Sequence, residues 1–501
     1  METAAIPCPP LATLWPGGGA KGEGRRAKGP VKVLSDKRGL NGTHKEKMLW
    51  YSLIELDFLI SLIIVIVYGL FSLRCKNINL TDVYFISRLL PIIFIIGFYI
   101  ESCNIVFYPS IDLLIAILTS IVMGSFRNFE SILLLLLAFI GNYFMLHSID
   151  FISFFITLEA QNFCFFVLCG LMSSKISSSF NVEASIKFFV LSAFTSGVLL
   201  YWFSHIYLIT GCTTFSLINN FFNVNTTNYF SYFVLCSLLF KLGAAPLHLW
   251  VTHIYSGIKR SLLLYISTIP KLSLFGFWFN NFTTTVSYSS VLLFSLFSLI
   301  LGSFSAYNQP ALRTLFAYST INEMGLMLLA VESAGFHALF QHLGLYIISQ
   351  FLLWNLHDKN LFSIVALTLA GLPPLAGFFG KAFIFWHASS IGLFTTLLVA
   401  LICTVVSLVY YLRIIRIFWN NGLNPDSSLT FMILGGKRNP IISNLRFLHF
   451  TGSCSIRRSM LSLQKTNNIY NFETRIALTS LCVILLLFLP LFVIKPFMCF
   501  V

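Results

Sequence analysis

The run Leu369-Ala370-Gly371-Leu372-Pro373-Pro374-Leu375-Ala376-Gly377-Phe378-Phe379-Gly380-Lys381 reads as a helix interrupted by glycine and a proline pair, ending in a lysine and flanked by apolar sequence on both sides. A helix broken inside lipid frees backbone groups that need an internal partner, so a break beside a cation marks an ion path or a water-lined cavity. The composition around it agrees. Of 501 residues, 57% are hydrophobic and only 10% charged, and the mean hydropathy is +0.84. That is too apolar for a soluble domain, and it predicts an all-α polytopic membrane protein. The net charge of +14 is scattered through short loops with no aromatic-interleaved basic face, which argues against nucleic acid as a partner and for the lipid bilayer.

Working outward, apolar runs of spanning length recur at about 49–73, 84–100, 104–124, 128–147, 151–171, 185–209, 229–251, 261–280, 286–306, 312–331, 336–356, 361–389, 392–419 and 475–498, about fourteen transmembrane helices in all. The fourth to eighth and the ninth to thirteenth read as two five-helix repeats, each with a proline-interrupted fourth member, at Ala244-Ala245-Pro246 and at Leu372-Pro373-Pro374. An odd-numbered repeat is inverted relative to its successor. The expected organisation is therefore a disordered basic leader or extension at 1–47, N-terminal transmembrane helices at 48–127, a first repeat at 128–280 with its break near Pro246, a second, inverted repeat at 281–419 with its break near Pro373, a basic insert at 420–473, and a C-terminal transmembrane helix at 474–501.

Loop charge orients these helices. Odd-numbered gaps carry Arg74 and Lys76, Arg127, Lys175, Lys259 with Arg260, Arg313, Lys359, and Arg413 with Arg416; even-numbered gaps carry Glu101, Asp150, Glu332 or nothing. The positive loops thus share the cytoplasmic or matrix face. The leader falls on the opposite face, against the rule, which favours its being removed or extraneous. Its Gly17-Gly18-Gly19-Ala20-Lys21-Gly22 matches a dinucleotide fingerprint literally, but no strand precedes it and no helical pattern follows. The 11 cysteines contain no CxxC and no Cys/His cluster, Cys164 and Cys169 being wrongly spaced for iron–sulfur or zinc, so no metal and no redox centre are expected on this chain.

Charges inside spans carry the chemistry. One at mid-bilayer costs about 2.5–3.5 kcal/mol on insertion scales, so each needs a reason. The candidates are Glu159, Lys187, Lys241, Lys271 and Lys381, with His248, whose intrinsic titration lies near neutrality, as a relay. The proton occupancy of a buried lysine changes when a carboxylate moves a few ångströms, so a Lys–Glu pair is a proton switch. Glu159 and Lys187, on neighbouring spans, form the natural pair, and Lys241 stands next along the file. The plainer alternatives are snorkelling for the lysines, above all Lys187 near the start of its span, and a packing role for Glu159. His205, His253, His337, His342 and His387 read as interfacial or structural.

Four stretches together resemble the antiporter-like subunits of respiratory complex I, nearest to the subunit 2 group: Glu183 to Thr214, with Lys187, Ser196-Gly197 and Tyr207 to Thr213, is similar to that family's sixth helix and following loop, Phe240 to Tyr255 to its broken seventh, Ala317-Tyr318-Ser319-Thr320-Ile321 to its tenth, and Leu369 to Lys381 to its broken twelfth. The likeness covers most of 48–419. It implies that Glu159, Lys187, Lys241, His248, Lys271 and Lys381 form a hydrophilic axis for protons in a subunit of the proton-translocating NADH:ubiquinone oxidoreductase of the mitochondrial inner membrane. It further implies that NADH, FMN, iron–sulfur clusters and ubiquinone are held by other subunits, that the partners are other membrane-arm subunits, antiporter-like ones included, and that the 420–473 insert faces the matrix. The family's tenth-helix motif usually continues with a histidine before Met-Gly, where this chain has Asn322-Glu323-Met324-Gly325, which makes Glu323 a secondary candidate. A subunit of a multisubunit cation/proton antiporter, a scaffold that has lost transport, and a plastid relative serving plastoquinone are the other readings.

Overall fold

Long apolar runs close all their backbone hydrogen bonds locally only as helices, and the chain follows that constraint. The computed structural model describes residues 109–126, 129–171, 178–218, 229–281, 288–309, 311–355, 359–373 and 375–420, with single positions 63, 67 and 91. All of these belong to the unit Phe58–Val501. The helices are α1 (Pro109–Met123), α2 (Phe129–Leu146), α3 (Phe151–Leu171), α4 (Ser178–Thr210), α5 (Tyr229–Leu242), α6 (Leu249–Gly257), α7 (Arg260–Asn281), α8 (Tyr288–Asn308), α9 (Leu312–Glu332), α10 (Phe336–Asn355), α11 (Lys359–Ala370), α12 (Ala376–Ile391) and α13 (Phe394–Asn420). Among the described residues no strand forms beyond an isolated bridge between Asp150 and Thr214. Eight of the described helices are long and apolar enough to cross a membrane. The leader at 1–47, the first two expected spans apart from those single positions, the insert beyond residue 420 and the C-terminal span lie outside the described residues.

Both proline-interrupted spans are broken in the same way. At the end of α5, Gly243 takes φ +78°, its N–H bonds Phe240 O at 3.0 Å, and the N–H of Ala244 bonds Leu239 O at 3.0 Å. At the end of α11, Gly371 takes φ +81°, its N–H bonds Thr368 O at 3.1 Å, and the N–H of Leu372 bonds Leu367 O at 3.3 Å. This pair of reversed bonds closes a helix on a left-handed residue, a conformation that glycine adopts without steric cost. The chain restarts as α6 and as α12, and each break hands a helix carbonyl to a side chain beyond it. Trp250 Nε1 donates to Phe240 O at 2.8 Å, and Lys381 Nζ donates to Leu369 O at 2.6 Å.

Between the breaks run the most enclosed helices. On α7 every residue from Leu262 to Trp278 is buried, and α9 is buried along nearly its whole length. The α7 helix accepts Pro270 inside it, and the residue that follows is Lys271. Peripheral helices α4 and α13 instead expose rows of apolar side chains such as Ile186, Val190, Phe194, Leu398, Ile402 and Val405, surface suited to lipid or to neighbouring apolar chains.

Replacing Trp250 by Phe keeps a ring against Phe188, whose stacked centroid lies 5.1 Å away, but removes the donor to Phe240 O. Phe240 O keeps the Gly243 N–H and loses one of its two donors, a loss of about 0.5–1.5 kcal/mol for one hydrogen bond. The thermal midpoint of the protein in its native assembly is expected to fall, and an unchanged midpoint would show that this bond does not hold the break.

Candidate functional site

Two helix breaks and the lysine between them set out a line of buried charge. Lys241 occupies the last turn of α5, just before its break, and its Nζ lies 3.6 Å from Glu159 Oε1 on α3 and 3.3 Å from Ser192 O on α4. Both side chains of this pair are largely enclosed, at 6% and 17% exposure. Asn162, one turn along α3, donates to the same Glu159 oxygen at 3.0 Å. The carboxylate is therefore held from its own helix and aimed at a cation on another.

Lys187 does not take the place expected for it. Its Nζ bonds Glu183 Oε1 at 2.6 Å, one turn back on α4, and the two side chains are 41% and 46% exposed. An i,i+4 carboxylate is always within reach on a helix, whereas Glu159 sits on another helix and already faces Lys241. The Glu159–Lys187 pair is thus replaced by Glu159–Lys241, with Lys187 turned toward the outside.

His248 is buried and lies directly before α6. Its ring meets Tyr318 of α9 edge-on at 5.8 Å between centroids, so the first break touches the helix that carries Glu323. Lys271 is enclosed in mid-helix instead of snorkelling; its Nζ donates to the Tyr346 hydroxyl of α10 at 3.1 Å. That hydroxyl in turn donates to Ser267 O, back on α7, at 3.3 Å.

At the second break the charges are densest. Glu323, on α9, gives Oε1 to Lys381 Nζ at 3.0 Å and Oε2 to His342 Nε2 at 2.8 Å. All three side chains are 5% exposed or less. A cavity of about 20 Å³ lies among Glu323, His342, Tyr346, Ser349, Thr368 and Lys381. That volume accommodates a single water, and the walls offer it several polar partners. A carboxylate shared by two bases beside a water site can hold protons in more than one arrangement.

The secondary candidate Glu323 is thus the anion that Lys381 meets, and His342, set aside as structural from the sequence, is its other partner. Tyr346 was not singled out at all. The signal was present as spacing, since His342, Tyr346 and Ser349 fall at i, i+4 and i+7 on one face of α10. Among the described residues, no group of three or more His, Cys, Asp or Glu side chains is placed to hold a metal ion.

The chain is similar to known respiratory and antiporter subunits. A family model described as NADH:quinone oxidoreductase/Mrp antiporter, TM, matches residues 148–359. The chain is 44% identical over 448 residues to the NADH-ubiquinone oxidoreductase chain 2 of Chlamydomonas reinhardtii, covering 89% of this chain and 100% of that one. It is 30% identical over 383 residues to the NADH-quinone oxidoreductase subunit N of Bartonella bacilliformis, covering 66% of this chain and 77% of that one. Among solved structures, a chain of respiratory complex I from Thermus thermophilus with bound aureothin superposes with a TM-score of 0.62 at 21% identity, over 86% of this chain and 98% of that chain. A chain of the Mrp complex from Dietzia does so with 0.62 at 18% identity, over 78% and 81%. At these identities the structures speak for the fold alone.

The ion pairs Glu159–Lys241 and Glu183–Lys187 are expected to respond differently to neutralisation. Glu159→Gln leaves the Lys241 ammonium enclosed without its carboxylate, a loss of about 3–5 kcal/mol for a buried pair broken on one side. Lys187→Gln breaks an exposed pair worth about 0–1 kcal/mol. Thermal midpoints of the two variants in the native assembly measure this, and equal midpoints would contradict the assigned partners.

Proposed function

We propose proton translocation as the function of this chain, which belongs to the family of NADH-ubiquinone oxidoreductase chain 2. In this reading it is a membrane-arm subunit that carries protons while NADH oxidation and quinone reduction proceed on other subunits, where NADH, FMN, iron–sulfur clusters and ubiquinone are held. The observation that supports it best is that three lysines buried within helices each face an oxygen on a different helix: Lys241 the Glu159 carboxylate, Lys271 the Tyr346 hydroxyl, Lys381 the Glu323 carboxylate. Ionisable groups at membrane depth are costly, and where they persist in partnered files they serve transport.

The working steps are proton transfers between fixed positions. A lysine facing its carboxylate keeps its proton; drawing the carboxylate away leaves a desolvated ammonium that passes the proton to the next acceptor. Glu159 and Lys241 form the first such switch, Lys271 the centre, and Glu323 with Lys381 the second, with His248 a relay at the first break. Lys187 belongs to the same reading as a surface member, paired with Glu183.

The finer architecture we infer is about fourteen spans, with two inverted five-helix repeats at 128–280 and 281–419. It is supported by the matching glycine-closed breaks after α5 and α11 and by the eight spans among the described helices. The setting we infer is the mitochondrial inner membrane, in contact with other antiporter-like subunits, with the positive loops toward the matrix. The cation/proton antiporter reading shares this fold, as the Mrp likeness illustrates; the 44% identity to a chain 2 protein over 89% of the sequence favours the NADH-linked reading.

The test is NADH-driven proton uptake in membranes carrying Lys241→Ala, with assembly of the complex followed on a native gel. Uptake is expected to fall about a hundredfold or more, the scale of losing a proton-transfer group, with the complex still assembled. Unchanged NADH-driven uptake would overturn the reading, and sodium-dependent exchange without NADH would favour the antiporter.

A further inference from the structure

Pro270 sits in the middle of α7, one residue before Lys271, and proline has no N–H to give to Ile266 O one turn back. A helix is open to bending at such a gap, and in apolar surroundings neighbouring helices and polar side chains make good the loss. Asn142 of α2, fully buried, reaches α7 on both sides of the gap. Its Nδ2 donates to the Tyr265 hydroxyl at 3.2 Å and to Ala138 O of its own helix at 2.7 Å, and its Oδ1 accepts from Ser273 Oγ at 2.9 Å. Ser273 has one hydrogen to give, and Asn142 Oδ1 is nearer to it than Pro270 O at 3.1 Å or Ile269 O at 3.2 Å. Both amide hydrogens and the amide oxygen of Asn142 are thus in use. On either side of Asn142, α2 also lies close to its neighbours. A Cβ on Gly141 would come within 3.2 Å of Thr157 O and Gln161 Cβ on α3, the helix of Glu159, and one on Gly276 of α7 would collide with Leu146.

We propose that Asn142 is a positioning residue for Lys271, splinting α7 across its proline gap so that the ammonium is presented to α10 at a fixed place. This rests on the proton-translocating reading above and deepens it. At 3.6 residues per turn, Lys271 leaves α7 about 160° round from Ser273 and about 120° round from Tyr265. The amide therefore grips the back of the helix while the lysine leaves its front, where Nζ meets the Tyr346 hydroxyl at 3.1 Å. A hydrogen bond is lost beyond about 3.5 Å, so a displacement of this turn by roughly half an ångström is enough to break that one. Asn142 acts on the ammonium through Tyr265 and Ser273, which set the pitch and direction of the residues between them. The close seat of Gly141 on α3 ties the same strut to the helix of Glu159, so the turn that bears Lys271 is held in register with the first ion pair.

Asn142→Leu roughly keeps the side-chain size and removes every bond of the amide. In the assembled complex, NADH-driven proton uptake is expected to slow about tenfold or more, the scale of a misplaced reacting group. Adding Pro270→Ala returns an N–H to Ile266 O and makes α7 continuous without the splint, so uptake is expected to recover toward the parent although the bonds to α2 remain absent. Asn280→Leu is the comparison: it removes the 3.3 Å bond to Leu146 O, between the same two helices but away from the gap, and is expected to lower the thermal midpoint at parental uptake. Ser273→Ala, which cuts only one of the two holds, is expected to slow uptake in the same sense, again reversed by Pro270→Ala, and decides the matter if Asn142→Leu fails to assemble. Parental uptake in assembled Asn142→Leu, no recovery in the double variant, or an equal loss in Asn280→Leu would overturn the splint, the last two leaving only the packing of α2 on α7. If Lys241→Ala abolishes uptake while Asn142→Leu is parental, the translocating reading stands and the splint alone falls; if both variants are parental, both fall.

Discussion

An ammonium group enclosed by packed helices has to meet an oxygen at all times, because no water shell replaces the one it left. Much of the described structure is arranged around that demand. The α5 and α11 helices stop where they do because glycine allows the chain to close back on itself, and side chains of the next segment donate to carbonyls at the closed ends. At the second break Lys381 both satisfies such a carbonyl, Leu369 O, and pairs with Glu323, so the lysine belongs to the backbone geometry as much as to the charge file. At the first break the indole of Trp250 takes the carbonyl instead, and Lys241 is left to Glu159 and Ser192 O. The two ion pairs therefore differ in stiffness: moving Lys381 disturbs a helix end, while moving Lys241 does not.

Enclosure is graded to match. The helices that bring Lys271 and Glu323 to the centre, α7 and α9, are almost fully buried, while α4 and α13 present apolar rows outward. The cost of enclosing Lys241, Lys271 and Lys381 is met locally by named oxygens.

The helical class, the positions of both breaks and the buried lysines Lys241, Lys271 and Lys381 were legible in the sequence, because each violates a strong local rule: glycine or proline within an apolar span, or charge within it. Partner choice was not legible. Glu159 was assigned to Lys187 by the adjacency of their spans, whereas Lys187 finds Glu183 on its own helix at i,i+4 and Glu159 meets Lys241 across helices. Glu323 stood out only as a departure from the tenth-helix motif of similar proteins. His342 and Tyr346 break no local rule, since a histidine or tyrosine in a span is commonplace, and only the approach of α10 to α7 and α9 brings them to Lys271 and Glu323. Intrahelical spacing is readable; which faces of separate helices meet is a property of the packed whole.

On the proposed reading the buried pairs exist for proton movement and not for stability. Neutralising both members of one pair together separates the two, because a buried ion pair replaced on both sides by neutral groups of similar size is often tolerated or even stabilising. The measurement is the ratio of protons taken up to NADH oxidised in assembled complex carrying Glu323→Gln with Lys381→Gln, alongside its thermal midpoint. The expected result is a midpoint at or near that of the parent with the ratio sharply reduced. A parental ratio at a lowered midpoint would mean that the pair holds the second break together and carries no protons.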